Sequence, residues 1–122
     1  MLPTPVILAV SHNPRNLDLL RHVVGTAGYQ LLPAVSLAAF ERALAHPEAV
    51  RLALVDITGF DARIWGPCEH LRAQGIPFLV LSPYQSQALQ EASLSHGAQR
   101  FLAKPLVIRE LLGLMRSLLE EG

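Results

Sequence analysis

Leu52-Ala53-Leu54-Val55-Asp56 is an apolar run closed by a carboxylate, and two later runs also end in a polar residue, Val80-Leu81-Ser82 and Leu102-Ala103-Lys104-Pro105. An apolar run of this length between helical patterns predicts a strand buried on both faces, as in a parallel sheet. Ligands of open α/β sheets bind beyond the carboxyl ends of the strands, so an acid, a hydroxyl and an amine are expected to meet at one sheet edge. The first run, Val6-Ile7-Leu8-Ala9-Val10, ends instead in Ser11-His12 and brings no acid.

Working outward, short apolar runs alternate with longer amphipathic stretches, the pattern of strands joined by crossover helices. Five such repeats are read. The first strand covers about 5–10, and Asn13-Pro14 supplies a cap and a first-turn proline for a helix to about 27, with Leu17, Leu20, Val23, Val24 and Ala27 inside. Tyr29 to Ala34 reads as a second strand, and Ser36 caps a helix to about His46 whose inner residues are Leu37, Phe40, Ala43 and Leu44. The third strand is about 51–56. A helix is expected to resume by about Pro67, with Cys68 and Leu71 inside, although Gly66-Pro67 can either break a helix or begin one. Phe78 to Ser82 forms a fourth strand, and Gln85 to about His96 a weakly amphipathic helix stopped by Gly97. Arg100 to Ala103 is a fifth strand. From Val107, residues Ile108, Leu111, Leu112, Met115, Leu118 and Leu119 follow helical spacing.

The Asp56, Ser82 and Lys104-Pro105 strand endings, in this order of elements, resemble the receiver domain of bacterial two-component response regulators over essentially the whole chain. The resemblance implies an α/β, flavodoxin-like, doubly wound (βα)5 three-layer sandwich with a five-stranded parallel sheet, and a single receiver-like domain over 1–122. It also implies that Asp56 accepts a phosphoryl group from a histidine kinase or phosphotransfer protein with magnesium present. Ser82 would be the hydroxyl that contacts that group, Lys104 the cation that pairs with it and Phe101 the switch aromatic; Lys104-Pro105 is a candidate cis bond. Such chemistry is mostly positioning and charge stabilisation: a carboxylate attacks while a hydroxyl, an ammonium and a metal absorb charge on the equatorial oxygens.

The chain departs from that pattern at the metal. Family members carry an acidic pair where Ser11 and His12 stand, which makes this an atypical member. Of the implied metal ligands only the Asp56 carboxylate and the backbone carbonyl of Thr58 remain. Magnesium prefers oxygen ligands, and a neutral imidazole suits zinc or nickel better, so weak magnesium affinity is expected. With the acids gone, Asp56 and Lys104 sum to zero charge, and a direct ion pair that depresses the Asp56 pKa is expected. A protonated His12 could add a second positive charge in place of the metal.

Other candidates have plainer readings. Asp61, five residues after Asp56, is expected in solvent or as a helix cap. Trp65 is expected to cover the edge of its own core, and Cys68 to be a buried small hydrophobe. His22, His46, His70 and His96 show no ligand spacing and are read as surface or C-terminal capping groups. The bland reading of Ser82 and Ser11 is a hydroxyl that bonds nearby backbone.

The 122 residues carry ten basic and ten acidic side chains, with no basic cluster, so direct nucleic-acid binding is not expected. One cysteine forms no internal disulfide, no apolar run spans a bilayer, and the first residues lack a signal peptide, so a cytoplasmic protein without membrane attachment is expected. Enzyme activity is not supported. The functional expectation is a phosphorelay receiver with Asp56 as phosphoacceptor and an effector protein downstream; the alternative is a phosphorylation-independent pseudo-receiver that works as a protein-protein interaction module. A homodimer through the fourth helix, fifth strand and fifth helix is compatible with both. A flavodoxin-like small-ligand binder is weaker, because no glycine-rich phosphate loop follows any strand.

Overall fold

The computed structural model describes residues 4–45 and 49–121. Five strands, β1 (Val6–Val10), β2 (Gln30–Ala34), β3 (Val50–Asp56), β4 (Phe78–Ser82) and β5 (Arg100–Ala103), alternate with helices α1 (Pro14–Thr26), α2 (Leu37–Leu44), α3 (Trp65–Ala73), α4 (Gln87–Ser95) and α5 (Ile108–Glu121). The strands form one sheet in the order β2-β1-β3-β4-β5, and every pairing is parallel. Strand order reverses between β1 and β3, so the switch point expected to hold a ligand lies beside the end of β3, at Asp56.

Alternation along the strands builds two cores. On one face Leu8, Val10, Ala53, Val55, Phe78 and Val80 pack with Phe40 and Leu44 of α2 and Cys68 and Leu71 of α3. On the other, Ile7, Leu52, Leu54, Leu79 and Leu81 pack with Leu17, Leu20 and Val24 of α1 and Leu111 and Met115 of α5. This is the doubly wound three-layer sandwich expected. The edge strand β2 carries Pro33, whose missing N–H costs least where only β1 is a neighbour. No described helix is long and apolar enough to cross a membrane.

The boundaries depart from expectation for local reasons. Asp61 caps a single 3-10 turn, Ala62–Ile64, through the Arg63 N–H, and α3 follows at Trp65; Pro67 therefore sits in the first turn, where proline is tolerated. Ser86, whose hydroxyl accepts from the Leu89 N–H at 3.2 Å, sets the start of α4 at Gln87 in place of Gln85. The strands β1, β2 and β3 each begin one residue from their expected starts. Ile108 fits the helical spacing of α5 but is 36% exposed, because Leu111 and Met115 one turn apart define the buried line. Ala27 caps α1 and is half-buried. The expected end of α2 at His46 lies outside the described residues.

Helix α4 is the least anchored. Its one fully buried side chain is Ser93, which donates to the Leu89 carbonyl at 2.6 Å. The chain after it approaches α3 closely: a Cβ on Gly97, whose φ is +106°, would stand 2.6 Å from Cδ of Arg72. Glycine is required there both for the backbone and for the contact.

Leu54 is fully buried in the central strand, whereas Leu94 is 45% exposed on α4. Leu54→Ala should lower unfolding free energy by about 2–5 kcal/mol and Leu94→Ala by less than about 0.5 kcal/mol. Urea unfolding followed by far-UV circular dichroism checks both; equal losses would contradict the placement of the core.

Candidate functional site

The backbone ladder runs one residue past the regular strands and thereby sets the polar groups. Ser11 N–H donates to the Ala34 carbonyl at 3.0 Å, Ile57 N–H to Leu81 at 3.0 Å and Lys104 N–H to Ser82 at 2.9 Å. Those bonds bring the ends of β1, β3 and β5 to one edge, with Asp56 only 1% exposed between them. Ser11, Asp56 and Lys104 meet there.

Asp56 accepts hydrogen bonds at both oxygens. Oδ2 accepts from Ser11 Oγ at 3.1 Å, Asn16 Nδ2 at 3.0 Å and Lys104 Nζ at 3.0 Å. Oδ1 accepts from the Thr58 N–H at 3.1 Å and from Thr58 Oγ1 at 2.7 Å. A carboxylate offers roughly four lone-pair sites, so these donors saturate it. Burial pushes the Asp56 pKa up, but the side-chain hydrogen bonds of Thr58 and Lys104, the Thr58 backbone N–H and the charge of Lys104 outweigh it and hold the pKa below the ordinary 3.8. The expected ion pair is thus formed, between a buried carboxylate and an ammonium whose side chain is 29% exposed.

Two of these donors, Asn16 and the Thr58 hydroxyl, escaped the sequence reading. Asn16 lies in the first turn of α1, one turn from the cap residue Asn13, and nothing in hydrophobic periodicity marks a polar residue there as inward. The resemblance implies a role for the Thr58 backbone carbonyl, whereas its N–H and hydroxyl are the groups bound to Asp56.

Other expected residues stand apart from the carboxylate. His12, expected as a second positive charge, stacks on Phe60 with ring centroids 3.7 Å apart, and its Nδ1 donates to the Val35 carbonyl at 3.0 Å. Ser82 Oγ donates to the Tyr84 carbonyl at 2.7 Å, the local backbone bond of its plainer reading. Phe101 is half-buried against the α2–α3 core. Lys104-Pro105 is cis. Asp61 is exposed, pairs with Arg63 at 2.9 Å and caps the 3-10 turn. His96 closes α4, stacks on Trp65 at 5.0 Å and meets Glu69 at 3.2 Å.

The donor set does not fit a hard dication. Magnesium needs several oxygen acceptors in near-octahedral array, whereas the groups around Asp56 turn hydrogens toward it and bring no second carboxylate. Among the described residues no three His, Cys, Asp or Glu side chains are grouped to hold a metal.

No protein-family profile matches the chain. A solved structure of a response regulator receiver domain protein (CheY-like) from Methanospirillum hungatei superposes with a TM-score of 0.86 at 25% identity, covering 98% of this chain and 96% of that one. The chain is a receiver domain of the response-regulator type. The transcriptional regulatory protein GltR of Pseudomonas aeruginosa is 31% identical over 120 residues, which are 95% of this chain and 49% of GltR, so the receiver spans about half the length of that relative. A chain of the CheX-CheY-BeF3-Mg2+ complex from Borrelia burgdorferi shares the fold, with a TM-score of 0.80 at 18% identity over 93% of this chain and 87% of that one.

Because the Asp56 pKa is lowered on folding, the stability it lends this receiver is complete above the ordinary 3.8 and is lost as the pH falls through the lowered native value. Asp56→Asn should cost about 1–3 kcal/mol at neutral pH. The gap between wild type and variant should narrow as denaturant unfolding is repeated down to about pH 2.5; a gap that stays constant would mean that the ionised carboxylate contributes nothing. The Cys68 thiol is fully buried, and burial, with the nearby charge of Glu69, pushes its pKa up to about 12. It should resist alkylation in the native receiver at about pH 8 and react once urea unfolds the chain, with intact mass as the readout.

Proposed function

We propose that this receiver is a signalling module that acts through protein contacts without needing a phosphoryl switch, with Asp56 held in an internal ion pair. The observation that carries this reading is the saturation of Asp56 by Ser11, Asn16, Thr58 and Lys104. A nucleophilic oxygen with no free lone pair must shed a donor before it attacks phosphorus, and no second carboxylate is there to recruit a metal for the incoming charge. Serine at position 11 supports the reading twice, since it removes an acid and adds a donor. The partner is then an effector protein that recognises the domain in one standing conformation.

A second reading keeps Asp56 as phosphoacceptor for a histidine kinase or phosphotransfer protein. It is favoured by Lys104, already 3.0 Å from Asp56 and able to pass to a phosphoryl oxygen. In that reaction an Asp56 oxygen forms the bond to phosphorus while the donor's bond to phosphorus breaks and the donor leaves with its electron pair. Magnesium belongs to this second reading alone.

The two are separated by incubation with acetyl phosphate and magnesium, read by intact mass. The proposal expects no adduct on the wild type. It also expects Ser11→Asp/His12→Asp, which restores two carboxylates at the end of β1, to bind magnesium at least about tenfold more tightly and to become labelled. Rapid magnesium-dependent labelling of the wild type that is lost in Asp56→Asn would overturn the proposal in favour of the phosphorelay reading.

A further inference from the structure

A cavity of about 180 Å³ lies between α1 and the segment after β5, against the Asp56–Lys104 pair. Leu19, Leu20, Leu106 and Ile108 form its apolar walls. Its polar floor is Asn16, Lys104 and the already hydrogen-bonded Asp56.

Hydrogen-bond accounting specifies what that floor accepts. Among the described residues Lys104 Nζ places one of its three N–H groups on Asp56, and Asn16 Nδ2 places one of its two there. Two ammonium N–H groups, one amide N–H and the Asn16 Oδ1 acceptor are left over. The floor therefore offers mostly donors, with a single acceptor beside them. Its charge is already balanced, because Asp56 and Lys104 cancel. An anionic ligand would bring a second carboxylate toward buried Asp56, and a cationic one a second ammonium toward Lys104, and neither would be neutralised. A neutral head with a carbonyl oxygen and an N–H matches both the donors and Asn16 Oδ1. At roughly 30 Å³ for each water-sized group, the cavity holds about six such groups, an amide head with a short chain.

We infer that this cavity is a binding site for a small neutral aliphatic amide, whose carbonyl oxygen accepts from Lys104 Nζ and whose chain lies between α1 and α5. The inference deepens the proposed function and rests on it for its regulatory meaning: a module without a phosphoryl switch receives its input from a ligand that takes up the N–H groups of Lys104 left over beside Asp56. Binding itself is argued from the cavity alone.

The test is a two-dimensional amide NMR titration of the intact chain with pentanamide, in buffer free of magnesium and phosphodonor. Saturable shifts confined to Asn16, Leu19, Lys104, Leu106 and Ile108 are expected. Shortening the probe to acetamide should weaken binding about tenfold or more, since each methylene in an apolar pocket counts. Leu19→Glu should abolish the shifts without unfolding the protein, because Leu19 is 54% exposed; Ile108→Glu is a second such variant. Absence of saturable shifts overturns the inference, as does equal or tighter binding of pentanoate or pentylammonium. Shifts spread evenly over the exposed apolar residues Val35, Tyr84 and Leu94 also overturn it, since they would report simple partition onto apolar surface. The acetyl phosphate assay fails separately: labelling of Asp56 beside saturable pentanamide binding removes the interaction-module reading and leaves the site, while no labelling and no binding does the reverse.

Discussion

The contact between Lys104 and Asp56 closes the sheet edge, because its geometry holds only if β3, β4 and β5 end in register. The ends of β1, β3 and β5 are drawn onto one carboxylate by Ser11, Thr58 and Lys104, with Asn16 reaching in from α1. Taking a carboxylate out of water costs several kcal/mol. Hydrogen bonds to a charged group return about 1.5–3 kcal/mol each, and Asp56 accepts five, so the donors offset that cost. Fold stability comes from elsewhere, from two apolar layers in which each buried Leu or Phe contributes about 1.5–3 kcal/mol. The carboxylate's larger effect is on specificity: removing Asp56 leaves Ser11, Asn16, Thr58 and Lys104 without their shared acceptor.

Much of this was legible in residue order. Period-two burial on both faces makes β3 and β4 read as unbroken apolar runs, and the polar residue ending each run marks the binding edge. The pairing of Asp56 with Lys104 followed from charge, since no acid at position 11 or 12 competes for the ammonium. What stayed hidden were contacts set by side-chain direction alone. Asn16 and the Thr58 hydroxyl are neutral, nonperiodic and reach Asp56 only in three dimensions. His12 was expected near the carboxylate, but Phe60 and the Val35 carbonyl provide a flat surface and an acceptor that claim its ring. The start of α3 was ambiguous because Gly66-Pro67 suits both a break and a first turn, and the Asp61 cap decides it.

The two residues after β1 change the demand of the whole site. A pocket with two further carboxylates would carry net negative charge and require a cation before it could be stable. With Ser11 donating to Asp56 and His12 turned to Phe60, the internal ammonium suffices, and the edge is neutral as it stands.

A change at Lys104 has a short physical route outward. Its N–H is bonded to the Ser82 carbonyl at 2.9 Å, and the Ser82 hydroxyl holds the turn at Tyr84, which is 60% exposed and leads into α4. Helix α4 is joined to the rest by Leu89 against the core, by the His96 contacts with Trp65 and Glu69, and by little buried apolar surface of its own. Elements with few buried contacts open at the lowest free energy, so strain on the backbone bond between Lys104 and Ser82 is relieved first where packing resists it least. Phe101, three residues before Lys104 on β5 and only half-buried, lies on the same side. The least anchored of the described helices is therefore linked through Ser82 and Tyr84 to the strand end that carries Lys104.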